Sequence, residues 1–130
     1  MAGLYVDTSA LGRVLLAEPD AASIQASLAG YEESWSSSLL TLELGRLARK
    51  HGKTDFALQL LEGLSLCAVT EERLRVAAAI QPLEVRSLDA IHLAAAVELR
   101  DAELVSAVLT FDQQLIAGCV HHGIEVIKPA

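Results

Sequence analysis

Short apolar runs of strand length alternate with longer segments of helical spacing from one end of the chain to the other. In the longer segments, apolar residues recur three and four positions apart, as they do on one face of a helix. Such alternation is typical of a parallel sheet covered by helices on both faces. We therefore predict an α/β fold, an α/β/α sandwich with a parallel sheet of four to five strands. The predicted strands are 4–6, 34–38, 64–69, 103–109 and 124–127.

Capping and breaking residues mark the ends of the predicted helices. Thr8 and Ser9 offer a cap for the first helix, and Thr70 offers one for a later helix. Gly30 and Gly52 are expected to close two others. The longer predicted helices are 39–51, 54–63, 70–80 and 87–99.

Length and composition limit the classes of protein to be considered. At 130 residues, the chain is predicted to form one domain, 1–130. Apolar residues make up 52% of it, yet no run reaches the roughly 18 apolar residues of a membrane span. Asp7 interrupts the first apolar stretch and no basic residue precedes it, which argues against a signal peptide. We therefore expect a cytoplasmic protein with no membrane contact, in which Cys67 and Cys119 are buried free thiols.

The net charge of −7 bears on the partners of the chain. It argues against a broad basic surface that grips nucleic acid through its phosphates. A nuclease is still compatible with it, because carboxylates around a divalent cation become net positive only when the metal is present. The negative charge also suits binding to a basic partner protein.

Four carboxylates that are distant in sequence fall at predicted strand ends or helix starts. Asp7 ends the first strand, and Asp112 lies just past the fourth. Glu43 and Asp89 are predicted to lie in the first turns of their helices. Because parallel strands end at one edge of a sheet, and sites in open α/β sheets form there, the four acids can converge.

Converging carboxylates favour a bound cation, since like charges a few ångströms apart repel. Mg²⁺ takes oxygen ligands and retains several waters. One such ion, or two, can activate water and stabilise charge on a phosphoryl oxygen, which is the chemistry of phosphodiester hydrolysis. Structural alternatives remain open at this point. The helix dipole alone favours acids in first turns, and Asp112 could serve only as a helix cap.

The segments around these acids resemble the motifs of the PIN-domain family, and within it those of the VapC-like toxins of prokaryotic toxin–antitoxin pairs. The four segments are LYVDTSAL (4–11), SLLTLEL (38–44), RSLDAIHLA (86–94) and LTFDQQL (109–115). Their order and separations match the family, and the third is the most specific. The resemblance spans essentially the whole chain.

This resemblance implies a parallel sheet of four or five strands between helices, and an endoribonuclease that depends on Mg²⁺ or Mn²⁺. Structured RNAs such as transfer or ribosomal RNA are the implied substrates. The implied partner is a cognate antitoxin that wraps the toxin and inserts a basic residue into the acidic site. A homodimer is also implied, with a heterotetramer or larger assembly when the antitoxin is bound.

Carried over position by position, the resemblance assigns the catalytic and metal-site acids to Asp7, Glu43, Asp89 and Asp112. Asp7 and Asp89 are expected to bind the metal directly, and Asp112 directly or through water. Glu43 is expected to orient or deprotonate the attacking water. The hydroxyls expected to hold these carboxylates by hydrogen bonds are those of Thr8, Ser9 and Thr110.

Several other polar residues lie near the four acids or on exposed helix faces. Gln113 and Gln114 stand where many relatives carry Arg or Lys, so the resemblance assigns no basic substrate contact directly after Asp112. His92 is interpreted as a packed or hydrogen-bonded histidine, because zinc would need more nitrogen or sulfur ligands nearby. Arg86 could bind a substrate phosphate or pair with a site carboxylate. A basic helix face is interpreted as solvated rather than as an RNA track; it comprises Arg46, Arg49, Lys50 and Lys53.

Two further functions remain as alternatives. One is a PIN-type nuclease for other RNA or for branched DNA, with no toxin role. The other is a flavodoxin-like signalling or binding module whose acids hold magnesium without hydrolysis. Asp7 stands alone, where a receiver domain has an early acid pair, and Lys128 follows the last predicted strand, so the second alternative is the weaker one.

Overall fold

The computed structural model describes residues 2–129, which form five strands and seven helices. In chain order, these are β1 (Gly3–Val6), α1 (Thr8–Leu15), α2 (Ala21–Ala29), β2 (Ser34–Ser37), α3 (Leu39–His51), α4 (Thr54–Glu62), β3 (Ser65–Cys67), α5 (Glu71–Ala79), α6 (Ser87–Asp101), β4 (Val105–Leu109), α7 (Gln113–His121) and β5 (Glu125–Ile127).

All neighbouring strands pair in parallel, in the order β3-β2-β1-β4-β5. The first strand of the chain is therefore the central strand of the sheet. Tyr5 in β1 lies opposite Trp35 of β2 on one side and Val108 of β4 on the other. The predicted α/β sandwich with a parallel sheet is confirmed.

The sheet separates two apolar cores. Leu4 and Val6 lie in a core that α1, α2, α3 and α4 complete, whereas Tyr5 lies in the opposite core with α5, α6 and α7. Successive side chains of a strand point to opposite faces. Both faces of β1 are covered, and its four residues are all buried. This explains why β1 is a continuous apolar run rather than an alternating one.

Two sequence predictions about element ends and one about the position of Glu43 within the correctly predicted helix 39–51 are wrong. The first helix is capped by Asp7, whose carboxylate accepts the N–H of Ala10 at 3.2 Å, and not by Thr8 or Ser9. β4 begins at Val105 rather than at 103, because Glu103 has a φ of 62°, which no strand residue adopts. Glu43 is the fifth residue of α3 and so lies beyond its first turn, since α3 begins directly at Leu39.

β3 is also shorter than predicted, with three residues. The chain leaves the sheet after Cys67, whose carbonyl accepts the N–H of Ser38 at 2.9 Å. The N–H of Val69 then bonds to the Ser38 hydroxyl at 3.0 Å instead of to a neighbouring strand. A side chain thus replaces the sheet as the partner of the backbone, which ends the strand.

Other local predictions are confirmed. The Thr70 hydroxyl accepts the N–H of Arg73 and caps α5, and Gly52 ends α3 at a φ of 65°, where glycine carries no steric cost. Cys67 and Cys119 are free and buried. Within residues 2–129, no helix has both the length and the apolar character needed to cross a membrane.

Candidate active site

Asp7 lies at the carboxyl end of the central strand, where β1 passes into α1. Asp7 is 3% exposed. One carboxylate oxygen, Oδ1, accepts the Ser9 hydroxyl at 2.8 Å as well as the helix N–H of Ala10. The other, Oδ2, accepts the Thr110 hydroxyl at 2.7 Å. A buried carboxylate is thereby held at a defined position on the edge of the sheet.

The hydroxyls of Ser9 and Thr110 join the end of β1 to the end of β4. They lie 3.1 Å apart. Ser9 Oγ accepts the N–H of Phe111 at 2.8 Å, and Thr110 Oγ1 accepts the N–H of Asp112 at 3.1 Å. The position of Asp7 relative to Asp112 is therefore set through hydroxyls that contact both strand ends.

Glu43 reaches the same edge from α3. Its Oε1 atom accepts the Thr8 hydroxyl at 2.7 Å and also lies 2.8 Å from Nε2 of His92. Thr8 is the residue after Asp7, and His92 lies one helical turn after Asp89 in α6. Glu43 is thus linked through Thr8 to the helix that follows Asp7, and through His92 to the helix that carries Asp89.

Asp89 and Asp112 complete the set of four acids. Asp89 lies in the first turn of α6, as predicted. Its carboxylate makes no hydrogen bond or ion pair to any residue within 2–129. Asp112 caps α7, and its Oδ1 accepts the N–H groups of Gln114 at 2.9 Å and Leu115 at 3.1 Å. The capping role considered from the sequence is therefore present, and it occupies only one of the two oxygens of Asp112.

The acids differ in how their surroundings affect ionisation. Burial raises the pKa of Asp7, although hydrogen bonds from Thr110 and Ser9 oppose it. The pKa of Asp89 is raised by burial and then by the charges of Asp112 and Asp7. Burial would raise the pKa of Glu43 too, but hydrogen bonds from His92 and Thr8 outweigh it and lower that pKa. Burial and the neighbouring acids therefore disfavour the charged form of Asp89, although the charges of His92 and Arg86 oppose them.

The structure brings Asp7, Asp89 and Asp112 within electrostatic reach of one another, and it connects Glu43 to them through Thr8 and His92. Nowhere in residues 2–129 do three His, Cys, Asp or Glu side chains already stand close enough together to hold a metal. An all-oxygen donor set with an unpartnered carboxylate still fits Mg²⁺ or Mn²⁺, because Mg²⁺ binds through one or two carboxylates and keeps several waters.

This arrangement leads to a prediction about stability without metal. At pH 7 and in the presence of a chelator, Asp89→Asn is expected to melt at a higher temperature than the wild type. The amide removes a partly buried charge that Asp112 and Asp7 repel. Thermal unfolding measures the difference, and added Mg²⁺ should raise the melting temperature of the wild type but not that of the variant.

The same prediction has a pH dependence with a definite sign. The pKa of Asp89 is higher in the folded chain than in the unfolded one, so the folded state binds the proton more tightly. The destabilisation caused by the Asp89 charge is absent below the ordinary pKa of aspartate and develops as pH rises through the folded-state pKa. The increase in melting temperature caused by Asp89→Asn should therefore grow between these two pKa values. A gain that stays constant with pH would contradict this origin.

Two contacts at the site were not recognised from the sequence. Nδ1 of His92 lies 2.7 Å from the Tyr5 hydroxyl, 87 positions away in sequence. The side-chain oxygen of Gln114 accepts both the backbone N–H of Arg86 at 2.8 Å and its Nε–H at 3.2 Å. The sequence showed only that these residues flank the acids. Their pairing depends on which helices the fold makes adjacent.

The basic face of α3 lies away from these contacts. The prediction that Lys53 shares this face is wrong, because α3 ends at His51 and Lys53 directly precedes α4. Arg46, Arg49 and Lys50 are exposed and line a groove between α3 and α4, together with the apolar side chains of Leu42 and Leu58. Exposure agrees with the interpretation of this face as solvated. The groove between the two helices was not predicted.

Comparisons with known proteins agree with this architecture. The chain matches the PIN domain family over residues 4–118. It is 35% identical to Ribonuclease VapC47 of Mycobacterium tuberculosis (strain CDC 1551 / Oshkosh) over 133 aligned residues, which cover 97% of this chain and 96% of that protein. It is 31% identical to Ribonuclease VapC46 of Mycobacterium tuberculosis (strain ATCC 25618 / H37Rv), with 100% of both chains covered.

A solved structure shares the fold. The chain superposes on a toxin–antitoxin complex from Klebsiella pneumoniae with a TM-score of 0.75 and 19% sequence identity, covering 99% of this chain and 98% of the other. The family match spans all four acids, and the two VapC ribonucleases align along nearly the full length. The chain therefore belongs to the PIN domain family, among the relatives of its VapC ribonucleases.

Proposed function

We propose that this chain is a metal-dependent endoribonuclease, the toxin of a toxin–antitoxin pair, which hydrolyses RNA phosphodiester bonds at a site built from Asp7, Glu43, Asp89 and Asp112. The observation that carries the proposal is the Asp89 carboxylate, which is half-buried within electrostatic reach of Asp7 and Asp112 and makes no hydrogen bond or ion pair within residues 2–129. Membership of the PIN family and likeness to two VapC ribonucleases support the same activity.

Each acid has a role that its contacts support. Asp7 and Asp89 would hold Mg²⁺ or Mn²⁺ directly, and Asp112 would do so directly or through water, using the oxygen that does not cap α7. The bound ion supplies positive charge for the phosphoryl oxygens as negative charge develops there. A lowered pKa keeps Glu43 ionised but makes it a weaker base, so it supports orientation of the attacking water better than acceptance of its proton.

The hydroxyls of Thr8, Ser9 and Thr110 support these acids. Each donates to a carboxylate: Thr8 to Glu43, and Ser9 and Thr110 to Asp7. Hydrogen bonds of this kind fix the orientation of a ligand side chain before the ion binds. Asp7 and Glu43 would therefore already be oriented when an ion binds.

The proposed partners rest on the likeness to two VapC ribonucleases and to a toxin–antitoxin complex. Leu83 and Leu88, just before and within the first turn of α6, are 67% and 53% exposed. We propose a homodimer, and a cognate antitoxin that inserts a basic residue between the acids. Light scattering of the chain, alone and with the product of a neighbouring gene for a small basic protein, tests both assemblies.

The function is tested with purified chain free of any partner. Incubation with total RNA, then separately with transfer RNA and ribosomal RNA, should give discrete products with Mg²⁺ or Mn²⁺. Cleavage should stop with a chelator and return when the metal is added back. Cleavage of branched DNA in preference to RNA would favour a nuclease without a toxin role. Metal binding without cleavage of either substrate would favour a binding module.

Arg86 gives a separate prediction about substrate binding. It is exposed, and Gln114 holds its Nε, so that its terminal guanidinium nitrogens can meet a phosphate near Asp89. Arg86→Ala should raise the KM for RNA about tenfold or more, in line with the loss of a charge-assisted hydrogen bond, and leave Mn²⁺ affinity unchanged. Arg46→Ala, on the exposed face of α3, is the matched control. Equal KM values for the two variants would contradict a phosphate-binding role for Arg86.

A further inference from the structure

A chain of hydrogen bonds runs from the centre of the sheet to Glu43. The Tyr5 hydroxyl, fully buried in β1, lies 2.7 Å from Nδ1 of His92, and Nε2 of His92 lies 2.8 Å from Oε1 of Glu43. The His92 side chain is 3% exposed, and its ring packs edge-on against Tyr5. Both ring nitrogens are thus engaged by protein atoms in a dry environment.

The donors and acceptors give this chain a direction. The Tyr5 oxygen accepts the backbone N–H of Ser37 at 3.1 Å, so its single proton can be donated to Nδ1 of His92. Burial raises the pKa of Tyr5, which keeps that proton on the hydroxyl. When Nδ1 accepts, the neutral imidazole carries its proton on Nε2 and donates it to Glu43.

We propose that His92 is a positioning residue for Glu43, held by Tyr5 in the tautomer that donates from Nε2 to the Glu43 carboxylate. This inference rests on the proposed nuclease function, in which Glu43 orients or deprotonates water. His92 is not a metal ligand here, because Tyr5 takes the Nδ1 lone pair and Nε2 carries the proton.

The two carboxylate oxygens of Glu43 differ in their hydrogen bonding. Oε1 receives both His92 and Thr8. Oε2 has no hydrogen-bond partner among residues 2–129. One oxygen is therefore fixed and the other is free to meet water. Loss of His92 should leave a carboxylate that is still charged but poorly oriented.

The tautomer is measured directly by long-range ¹H–¹⁵N NMR of the imidazole in the metal-free wild type. A protonated Nε2 with an unprotonated Nδ1 is the expected result. Tyr5→Phe, which retains the ring but removes the donor, should weaken that preference. A proton on Nδ1 in the wild type would overturn the inference, whatever the activity of the protein.

Kinetics test whether His92 acts through Glu43. His92→Ala should lower kcat about 10- to 100-fold, the usual loss when a partner of a site residue is removed, with little change in KM. His92→Gln, whose amide can still donate to Glu43, should recover part of the loss. In a Glu43→Gln background, His92→Ala should cost little more, because residues that act together are not additive. Exposed His51→Gln is the control.

The outcomes separate this inference from the proposed function. If the wild type shows no metal-dependent cleavage, both the proposed function and the role of His92 are contradicted. If the wild type cleaves RNA and His92→Ala has the same kcat as His51→Gln, only the role of His92 is contradicted. The same holds if His92→Ala costs as much in the Glu43→Gln background as in the wild type, because its effect would then be a general loss of structure.

Discussion

Asp7→Asn is expected to lower metal-dependent RNA cleavage by roughly 10³-fold, which corresponds to about 4 kcal/mol of lost transition-state stabilisation. Asp7 supplies a carboxylate from the central strand, and its two oxygens are already oriented by Ser9 and Thr110. The amide has nearly the same shape but one anionic ligand fewer. Isothermal titration with Mn²⁺ should show a parallel loss of affinity.

Asp55→Asn is the matched control for that experiment. Asp55 is an exposed acid in the first turn of α4, and the substitution changes the net charge by the same amount. Circular dichroism verifies that both variants are folded. If Asp7→Asn and Asp55→Asn cleave RNA equally well, the activity does not arise at the edge of the sheet that carries Asp7, and the four acids act only as caps and structural groups.

Gly3→Ala is expected to destabilise the fold by about 1–3 kcal/mol, the usual cost of overpacking. A Cβ at Gly3 would lie 2.9 Å from the carbonyl oxygens of Glu33 and Leu104 and from Cδ1 of Trp35. The two carbonyls are fixed by sheet hydrogen bonds, to the N–H of Leu4 and to that of Gly3 itself. The thermal midpoint should fall by roughly 5–15 °C.

Gly45→Ala is the opposite case within the same chain. Gly45 lies in α3, and a Cβ there meets nothing within 4 Å. Alanine is favoured over glycine inside a helix by roughly 1 kcal/mol, so this variant should melt a few degrees higher than the wild type. If Gly3→Ala and Gly45→Ala shift the thermal midpoint in the same direction, crowding around β1 is not the reason that position 3 requires glycine.

The fold could be predicted from the sequence because its signals are local. β1 is an apolar run, and its composition indicates a buried strand, although not its central position in the sheet. Two of the errors arose where a side chain competes with the backbone for hydrogen bonds. Asp7 takes the cap that Thr8 and Ser9 could have filled, and Ser38 ends β3 early. Periodicity does not report such competition.

The candidate site was only partly accessible from sequence. The order of the acids along the chain indicated a common edge of the sheet, and the family motifs indicated which acids to choose. The partners of His92 lie 87 and 49 positions away, in β1 and α3. Nothing in the spacing around His92 specifies either of them, because contacts of this range depend on how helices pack against the sheet.

The central position of β1 has a consequence for biosynthesis. β1 leaves the ribosome before the other four strands, yet one of its two neighbours is β4, and the Thr110 hydroxyl that holds Asp7 lies 103 positions later. Domains gain their structure progressively as the chain emerges, and pairing between distant strands is slow. A nascent chain therefore cannot assemble the edge that carries Asp7 and Asp112 until β4 and the residues directly after it have been made. The topology itself separates the synthesis of β1 from the completion of the proposed site.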